Sequence, residues 1–213
     1  MVGVIDYDAG NVKSVMKAVE KLGGKAVLTA EPEILDKCTS LILPGVGSFG
    51  KAVENLRAKG LDKYIIKAAG EGRMFLGICL GMQMLFEKSF EDGEWEGLGL
   101  LKGNVMRFGK ENDASWDESY KIPHMGWNRL EENRTDSIGA GLGDGEYAYF
   151  VHSYYAIPDD WNDVVYYADY SVKVPGVVRK ENIIGMQFHP EKSSDTGMRL
   201  LKNFLKEGEN IAD

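Results

Sequence analysis

Cys79 is the residue whose type and setting are best suited to covalent chemistry. It lies in Gly77-Ile78-Cys79-Leu80-Gly81, after an apolar run and before a helical pattern. In a strand–turn–helix arrangement, small flanking residues permit a sharp turn, and the free N–H groups at the helix start favour a thiolate. The N–H of Leu80 would face an oxyanion formed beside the sulfur. Taken alone, the pattern fits a cysteine buried as a small hydrophobic residue equally well.

A second candidate for chemistry, His189, ends another apolar run and is one of only three histidines. Glu191 follows two residues later, so strand-like geometry would bring its carboxylate near the imidazole, where it can orient the ring and stabilise its cation. Alone, this would be a His-Pro turn with a solvated glutamate. Together with the elbow at Cys79, it indicates acyl transfer through a thioester.

A glycine-rich loop is the third element of this constellation. Pro44-Gly45-Val46-Gly47-Ser48 follows a further apolar run. Its glycines permit unusual backbone angles, so the Val46-Gly47 turn can direct an N–H toward the same oxyanion as Leu80. Without Cys79, an ordinary strand-to-helix turn explains the loop equally well.

Alternating strand and helix patterns must position these residues in the first half of the chain. Short apolar runs predict buried strands at residues 2–7, 26–30, 41–43 and 74–79. Helical spacing predicts helices over residues 12–22, 53–66 (broken near Gly60) and 80–86. This β-α-β alternation predicts a parallel sheet with right-handed crossovers, and functional groups at the carboxyl ends of its strands.

The second half is richer in Tyr and Val, which favour strands. Strands are predicted at residues 98–101, 104–108, 147–157, 164–170, 177–179 and 183–189. We expect them to add an antiparallel β portion to the parallel sheet. Residues 109–121 are polar and predict a surface loop, and a last helix carries Met198, Leu201, Phe204 and Leu205 on one face. No repeat or linker interrupts the chain, so we expect one domain over residues 1–213.

Composition narrows the function classes. The 213 residues include 25 Lys+Arg and 33 Asp+Glu, a net charge of −8. This acidic balance argues against a nucleic-acid binder and against docking on an anionic membrane. No apolar run approaches a membrane span of ~20 residues, and the N-terminus lacks the basic region of a signal peptide. Two cysteines are too few for a disulfide framework, so we expect the reducing cytoplasm.

Several motifs resemble those of a known family. The segment from Gly77 to Gln83 and the triplet His189-Pro190-Glu191 resemble the signatures of class I glutamine amidotransferases, which have a flavodoxin-like, mostly parallel sheet flanked by helices. Further motifs resemble the glutaminase subunits of imidazole glycerol phosphate synthases: residues 44–50, 123–128, 149–154 and 189–194. The resemblance runs from Asp6 to the last helix, although the segment 109–121 is longer than is usual in that family.

The resemblance implies hydrolysis of glutamine to glutamate and ammonia, with no metal or cofactor. Cys79 would attack the amide, His189 would move the proton, Glu191 would hold His189, and Leu80 with the Val46-Gly47 turn would form the oxyanion hole. Four residues match those that hold glutamine in the family: Gln83, Glu91, Ser153 and Tyr154. Glu91 would pair with the α-ammonium group. A solvated loop charge is the alternative for Glu91.

The resemblance also implies a partner, a separate (β/α)₈-barrel cyclase. That subunit would combine the ammonia with a phosphorylated ribulosyl carboxamide nucleotide to give imidazole glycerol phosphate, for histidine synthesis, and an aminoimidazole carboxamide ribotide. Candidates for the contact face are Asn11, His124, Trp127 and Lys192. Two alternatives stay open. One is a glutaminase of another synthase, against which Val46 argues, and the other is a non-catalytic flavodoxin-like module with a buried cysteine.

Overall fold

A computed structural model describes residues 1–143 and 145–211. Its strands are β1 (Val2–Ile5), β2 (Ala26–Thr29), β3 (Ser40–Gly45), β4 (Met74–Cys79), β5 (Lys88–Ser89), β6 (Trp95–Glu96), β7 (Gly103–Arg107), β8 (His124–Arg129), β9 (Glu131–Glu132), β10 (Tyr147–His152), β11 (Tyr154–Pro158), β12 (Val164–Tyr170), β13 (Val172–Lys180) and β14 (Ile183–Met186). Its α-helices are α1 (Val12–Lys21), α2 (Pro32–Leu35), α3 (Phe49–Ala58), α4 (Leu61–Gly70), α5 (Leu80–Gln83) and α6 (Ser194–Ile211). Within the described ranges, no helix is long and apolar enough to cross a membrane.

The central sheet has eight strands in the order β2-β1-β3-β4-β14-β13-β12-β9. Neighbours from β2 to β14 are parallel, and β13, β12 and β9 extend the sheet in antiparallel fashion. The remaining strands form the antiparallel pair β10-β8 and a four-stranded sheet in the order β11-β7-β5-β6. The expected α/β fold, with an antiparallel portion in the second half, is therefore confirmed.

Helices cover both faces of the parallel strands. Phe75 of β4 is buried with Leu56 of α3 and Ile65 of α4, whereas its neighbour Leu76 is buried on the other face with Val19 of α1. Helix α6 packs on that second face as well. Strands covered on both faces bury every side chain, which explains why β1, β3 and β4 appear in the sequence as continuous apolar runs.

The carboxyl ends of β3, β4 and β14 meet at one edge of the sheet. In the parallel register, Gly45 lies opposite Cys79, and Met186 lies opposite Ile78. The glycine-rich loop, the cysteine elbow and the segment leading to His189 therefore leave the sheet side by side. This is the edge at which open α/β sheets bind their ligands.

Several predicted elements differ from the observed ones. Residues 98–101 are not a strand, because the N–H groups of Leu98 and Leu100 bond to the carbonyl groups of Met84 and Leu85, in the turn after α5. The run 147–157 is two strands separated at Ser153, the predicted helix 80–86 ends at Gln83, and the predicted strand 183–189 ends at residue 186.

The loop 109–121 has no strand or helix, as predicted, but it is not wholly on the surface. Trp116 is only 4% exposed, and its ring lies 5.2 Å from that of Phe108. The ring of Tyr155 stacks on that of Phe108, with 4.6 Å between the ring centres. Trp116 therefore packs the loop against aromatic residues of the four-stranded sheet and its flanking turn.

Candidate active site

Cys79 occupies a strained turn between β4 and α5. Its backbone angles are φ 54° and ψ −113°. For a residue other than glycine, a conformation with such a positive φ costs of the order of 1–3 kcal/mol, so the turn is strained. The packing around this turn leaves the backbone little room for another conformation. A Cβ atom on Gly81 would collide with the Leu43 carbonyl oxygen, and one on Gly77 would lie 2.6 Å from the Gly81 carbonyl oxygen. The sequence pattern thus folds into the expected elbow, which leaves Cys79 8% exposed.

His189 and Glu191 form a buried pair beside the elbow. The Nδ1 atom of His189 lies 3.0 Å from Oε1 of Glu191, and the two side chains are only 4% and 2% exposed. Burial alone would lower the pKa of His189, but its interactions with Cys79 and Glu191 outweigh this effect and raise the pKa to about 9. Burial raises the pKa of Glu191, yet the hydrogen bond and charge of His189 bring it below its usual value. Both shifts favour an imidazolium–carboxylate pair.

The turn that carries Glu191 is fastened to β10. The hydroxyl of Ser193 donates to the His189 carbonyl oxygen at 2.8 Å and accepts the Tyr149 N–H at 3.0 Å. Asn11, just before α1, donates to Oε1 of Glu191 at 2.7 Å. The carboxylate is therefore held from two sides, by its own turn and by the first helix.

A cavity of about 370 Å³ opens at this edge of the sheet. Most of the residues expected in the site line it: Val46, Gly47, Cys79, Leu80, Gln83, Glu91, Ser153, Tyr154 and His189. Val151 and His152 complete the lining. The structure thus brings together the predicted nucleophile, base, oxyanion loop and substrate residues, while Glu191 lies behind His189.

Gln83 connects the cavity wall to the nucleophile through Gln187. The Gln83 side-chain amide donates to the Tyr154 carbonyl oxygen at 2.9 Å and to Oε1 of Gln187 at 3.0 Å. The Nε2 atom of Gln187 lies 3.9 Å from the Sγ of Cys79. Gln187 was not singled out in the sequence. Its signal was its position two residues before His189, since alternate residues of an extended segment face the same side.

Glu91 has a structural bond in addition to its place in the cavity. Its Oε2 atom accepts the Phe49 N–H at 2.6 Å, at the start of α3. Burial raises the pKa of Glu91, and the hydrogen bond from Phe49 opposes that shift in part. Because a carboxylate has further acceptor sites, Glu91 can cap α3 and still present negative charge to the cavity.

In the glycine-rich loop after β3, Gly47 has the unusual backbone angle that the sequence predicted, whereas Gly45 ends the strand without one. Gly47 has φ +98°, a backbone angle that residues other than glycine rarely adopt. Val46 is 39% exposed and lines the cavity. Because β3 ends at Gly45, the peptide between Val46 and Gly47 lies outside the central sheet.

The four residues expected on a contact face occupy different environments. Trp127 is 53% exposed on β8, and Lys192 is exposed after Glu191. Asn11 is half-buried and bonded to Glu191. The expectation for His124 is wrong, because its ring is 2% exposed and stacks 3.9 Å from that of Tyr170. The His124 side chain offers no surface to a partner.

His124 instead forms a buried pair with His152. The Nδ1 atom of His124 lies 3.1 Å from Nε2 of His152, whose Nδ1 lies 2.8 Å from the Tyr154 carbonyl oxygen. A carbonyl can only accept, so His152 carries its proton on Nδ1 and must accept at Nε2. Burial lowers the pKa of His124 to about 3 and that of His152 to about 4, so both rings are neutral. This arrangement gives His152 a structural role in the pair of strands β8 and β10.

No group of three His, Cys, Asp or Glu side chains in the described ranges is arranged to hold a metal ion. Both cysteines are free thiols. Cys38 is buried in the core, with its Sγ 3.5 Å from the Ile34 carbonyl oxygen, as expected for a packing residue.

Comparisons with known proteins agree with this geometry. The family model "Glutamine amidotransferase class-I" matches residues 3–207. The imidazole glycerol phosphate synthase subunit HisH of Bacillus subtilis is 50% identical over 206 residues, covering 97% of this chain and 96% of that protein. The subunit of the same name from Geobacillus thermodenitrificans is 49% identical over 206 residues, covering 96% and 95%.

Among solved structures, a crystal structure of a glutamine amidotransferase matches with a TM-score of 0.76 at 24% identity, covering 98% of each chain. At that identity the likeness supports the fold. The family model spans nearly all of this sequence, and the relatives share about half of its residues over the same length. This chain belongs to the class I glutamine amidotransferase family.

Proposed function

We propose that this chain hydrolyses glutamine to glutamate and ammonia, as the glutaminase subunit of an imidazole glycerol phosphate synthase. The observation that carries the proposal is the strained Cys79 in one cavity with His189, which is paired to the buried Glu191. The names and near-complete coverage of the relatives support the choice of synthase.

In the proposed first step, the Cys79 thiolate attacks the side-chain carbonyl carbon of glutamine. With its pKa raised to about 9, His189 is protonated at neutral pH and can give that proton to the departing ammonia. Collapse of the tetrahedral intermediate breaks the C–N bond and leaves a glutamyl thioester. The now neutral His189 then takes a proton from water as the water attacks the thioester, and glutamate and the thiolate are released.

The oxyanion of each tetrahedral intermediate needs preorganised donors. The N–H of Leu80 and an N–H of the Val46-Gly47 turn are assigned this role, because both segments line the cavity next to the sulfur. Gln83, Ser153 and Tyr154 are assigned to binding the α-amino-acid end of the glutamine substrate. Glu91 is assigned to its α-ammonium group, which its charge and half-buried position suit.

Ammonia released into bulk water would be protonated and lost, so the proposal includes a (β/α)₈-barrel cyclase as the acceptor. The exposed Trp127 and Lys192, together with Asn11 next to Glu191, are proposed as part of the face it contacts. Exposed Met125 and Tyr147, from β8 and β10, extend an apolar patch around Trp127. A thiol nucleophile is compatible with the reducing cytoplasm, where we place the reaction.

Nitrogen-source dependence of the two-chain complex tests the proposal. Cys79→Ala should abolish synthesis of imidazole glycerol phosphate from glutamine and retain synthesis from added ammonium salts, because the thiol serves only ammonia release. Cys38→Ala is the matched control, since Cys38 has a packing role, and it should keep both activities within a few-fold. Equal loss with both nitrogen sources in Cys79→Ala would contradict the assignment.

A further inference from the structure

We propose that Gln187 is a positioning residue for the nucleophile, because it directs a side-chain N–H at the Cys79 sulfur and is itself oriented by Gln83. The inference rests on the proposed function in that it assigns Cys79 as the nucleophile. Gln187 is only 1% exposed and lies in the segment between β14 and His189. Its backbone N–H is bonded to the Gly176 carbonyl oxygen at 2.9 Å, which fixes the base of the side chain.

The direction of each hydrogen bond follows from one group that can only accept. The Tyr154 carbonyl oxygen bonds to Gln83, so the NH₂ end of the Gln83 amide must face it. The same NH₂ group lies 3.0 Å from the Gln187 amide, which therefore presents its oxygen to Gln83. The NH₂ end of Gln187 is left facing Cys79, 3.9 Å from the sulfur. An amide flip of Gln187 would place two donors against each other at Gln83.

A fixed N–H beside the sulfur favours the thiolate and restricts where it can lie. The titratable groups around this sulfur are His189, whose interaction with Cys79 raises its pKa, and Tyr7, whose pKa is raised by burial and then by the charge of Cys79. Glu91 and His152 line the same cavity. Gln187 differs from all four because its contribution does not change with pH. We infer that it keeps the sulfur in the attacking position whatever the state of its neighbours.

Alkylation of Cys79 by iodoacetamide, measured against pH, tests the role of Gln187. The full chain carries Cys38→Ala, so that Cys79 is the only thiol. Gln187→Met keeps the length of the side chain and removes both polar groups. Gln187→Glu keeps an acceptor for Gln83 but removes the N–H that faces the sulfur. We expect Gln187→Met to move the midpoint of the rate–pH profile upward by about one pH unit, or roughly ten-fold less reactive thiolate at neutral pH. Gln187→Glu should shift it further, because its carboxylate also repels the thiolate.

The pair of variants distinguishes positioning of the sulfur from support of Gln83. If Gln187 only holds Gln83, the uncharged Gln187→Met will keep the midpoint of the parent chain and the inference is overturned. Asn182→Ala is the matched control. Asn182 lies just before β14, as Gln187 lies just after it, and its amide donates to the Ala69 and Arg73 carbonyl oxygens, away from the cavity. It should lower the unfolding midpoint in urea and leave the alkylation profile unchanged. An equal shift in Asn182→Ala would also overturn the inference.

This readout is independent of glutamine turnover. Failure of the parent complex to hydrolyse glutamine would contradict the proposed function, whereas an unshifted alkylation profile in both Gln187 variants would contradict only the role of Gln187. Far-UV circular dichroism of each variant confirms that the fold is retained before the profiles are compared.

Discussion

At the scale of single residues, the site contains groups that serve both structure and chemistry. Glu91 caps the start of α3 through Phe49 and also lines the cavity. Asn11 precedes α1 and also holds Glu191. Such double use limits what each substitution can reveal, so a useful variant must preserve the structural bond and remove only the proposed chemical role.

Glu91→Gln meets this condition. The amide oxygen of Gln can still accept the Phe49 N–H, but the negative charge proposed for the α-ammonium group is lost. We expect the KM for glutamine to rise roughly 10- to 100-fold with kcat within a few-fold, because a charge-assisted hydrogen bond far from the reacting carbon is lost equally in the ground and transition states. Steady-state kinetics of the two-chain complex give both constants.

The matched control is Glu94→Gln. Glu94 lies in the same loop, is 58% exposed and pairs with Lys88 away from the cavity. Its substitution should leave both constants unchanged. A normal KM in Glu91→Gln would show that Glu91 serves α3 alone.

The sequence predicted which residues lie together wherever the pattern is short-range. The elbow around Cys79 and the spacing of His189 and Glu191 are short-range patterns, and the structure brings these residues together as expected. Gln187 was missed because its neighbours, Gln83 and Cys79, are more than 100 positions away. His124 was misplaced because a histidine beside exposed Met125 gives no sign in the sequence that its own ring faces inward.

At the scale of elements, prediction depended on the length of the run of strand-forming residues. Strands β4 and β12 were predicted with their observed bounds, since each is a long apolar or Tyr/Val-rich run. Strands β5, β6 and β9 have two residues each and were missed. A pair of residues has no measurable periodicity, and these short strands are defined only by the partners they meet in space.

The junction of β4 with α5 is the element-scale feature on which the site depends most. Gly81→Ala should destabilise the chain by about 1–3 kcal/mol and remove glutaminase activity, because the new methyl group collides with the Leu43 carbonyl oxygen and pushes α5 away from β3. Urea unfolding and glutamine hydrolysis by the two-chain complex measure the two effects. Wild-type stability in this variant would show that the elbow is not tightly packed.

Gly70→Ala is the comparison, because Gly70 has open space where a side chain would lie. Gly70 ends α4, and a Cβ atom there would meet nothing within 4 Å. This substitution should be neutral or stabilise the chain by up to about 1 kcal/mol, since alanine favours the helix and restricts the unfolded chain. The opposite signs of the two Gly→Ala changes would localise the effect to the elbow.

At the scale of the whole molecule, the three sheets meet around the buried histidine pair. His124 and His152 lie opposite each other in β8 and β10. Tyr170 of the central sheet stacks on His124, and Phe108, which follows a strand of the four-stranded sheet, lies 5.3 Å from the ring of His152. The sequence could not show this meeting point, because its members come from four separate segments.

The buried pair makes the stability of the molecule sensitive to acid. Both rings are neutral when folded, with pKa values of about 3 and 4, whereas unfolded histidines take up protons near pH 6.5. The unfolded chain therefore binds more protons below pH 6.5, and stability present above that pH is lost as the pH falls toward 4. His189 contributes little slope below pH 6, because its raised pKa keeps it protonated in the folded chain and most of it is also protonated in the unfolded chain.

Between pH 6 and pH 5, we expect the free energy of unfolding to fall by up to about 2.5 kcal/mol, close to two protons per molecule. His124→Gln should lower stability at every pH but reduce this drop to about half, since one of the two titrating rings is removed. Urea unfolding of both proteins at pH 6 and pH 5 gives the two slopes. His189 is present in both proteins, so its contribution cancels in the comparison. Equal slopes would mean that other groups govern acid unfolding and that the pair does not hold the three sheets together in its neutral form.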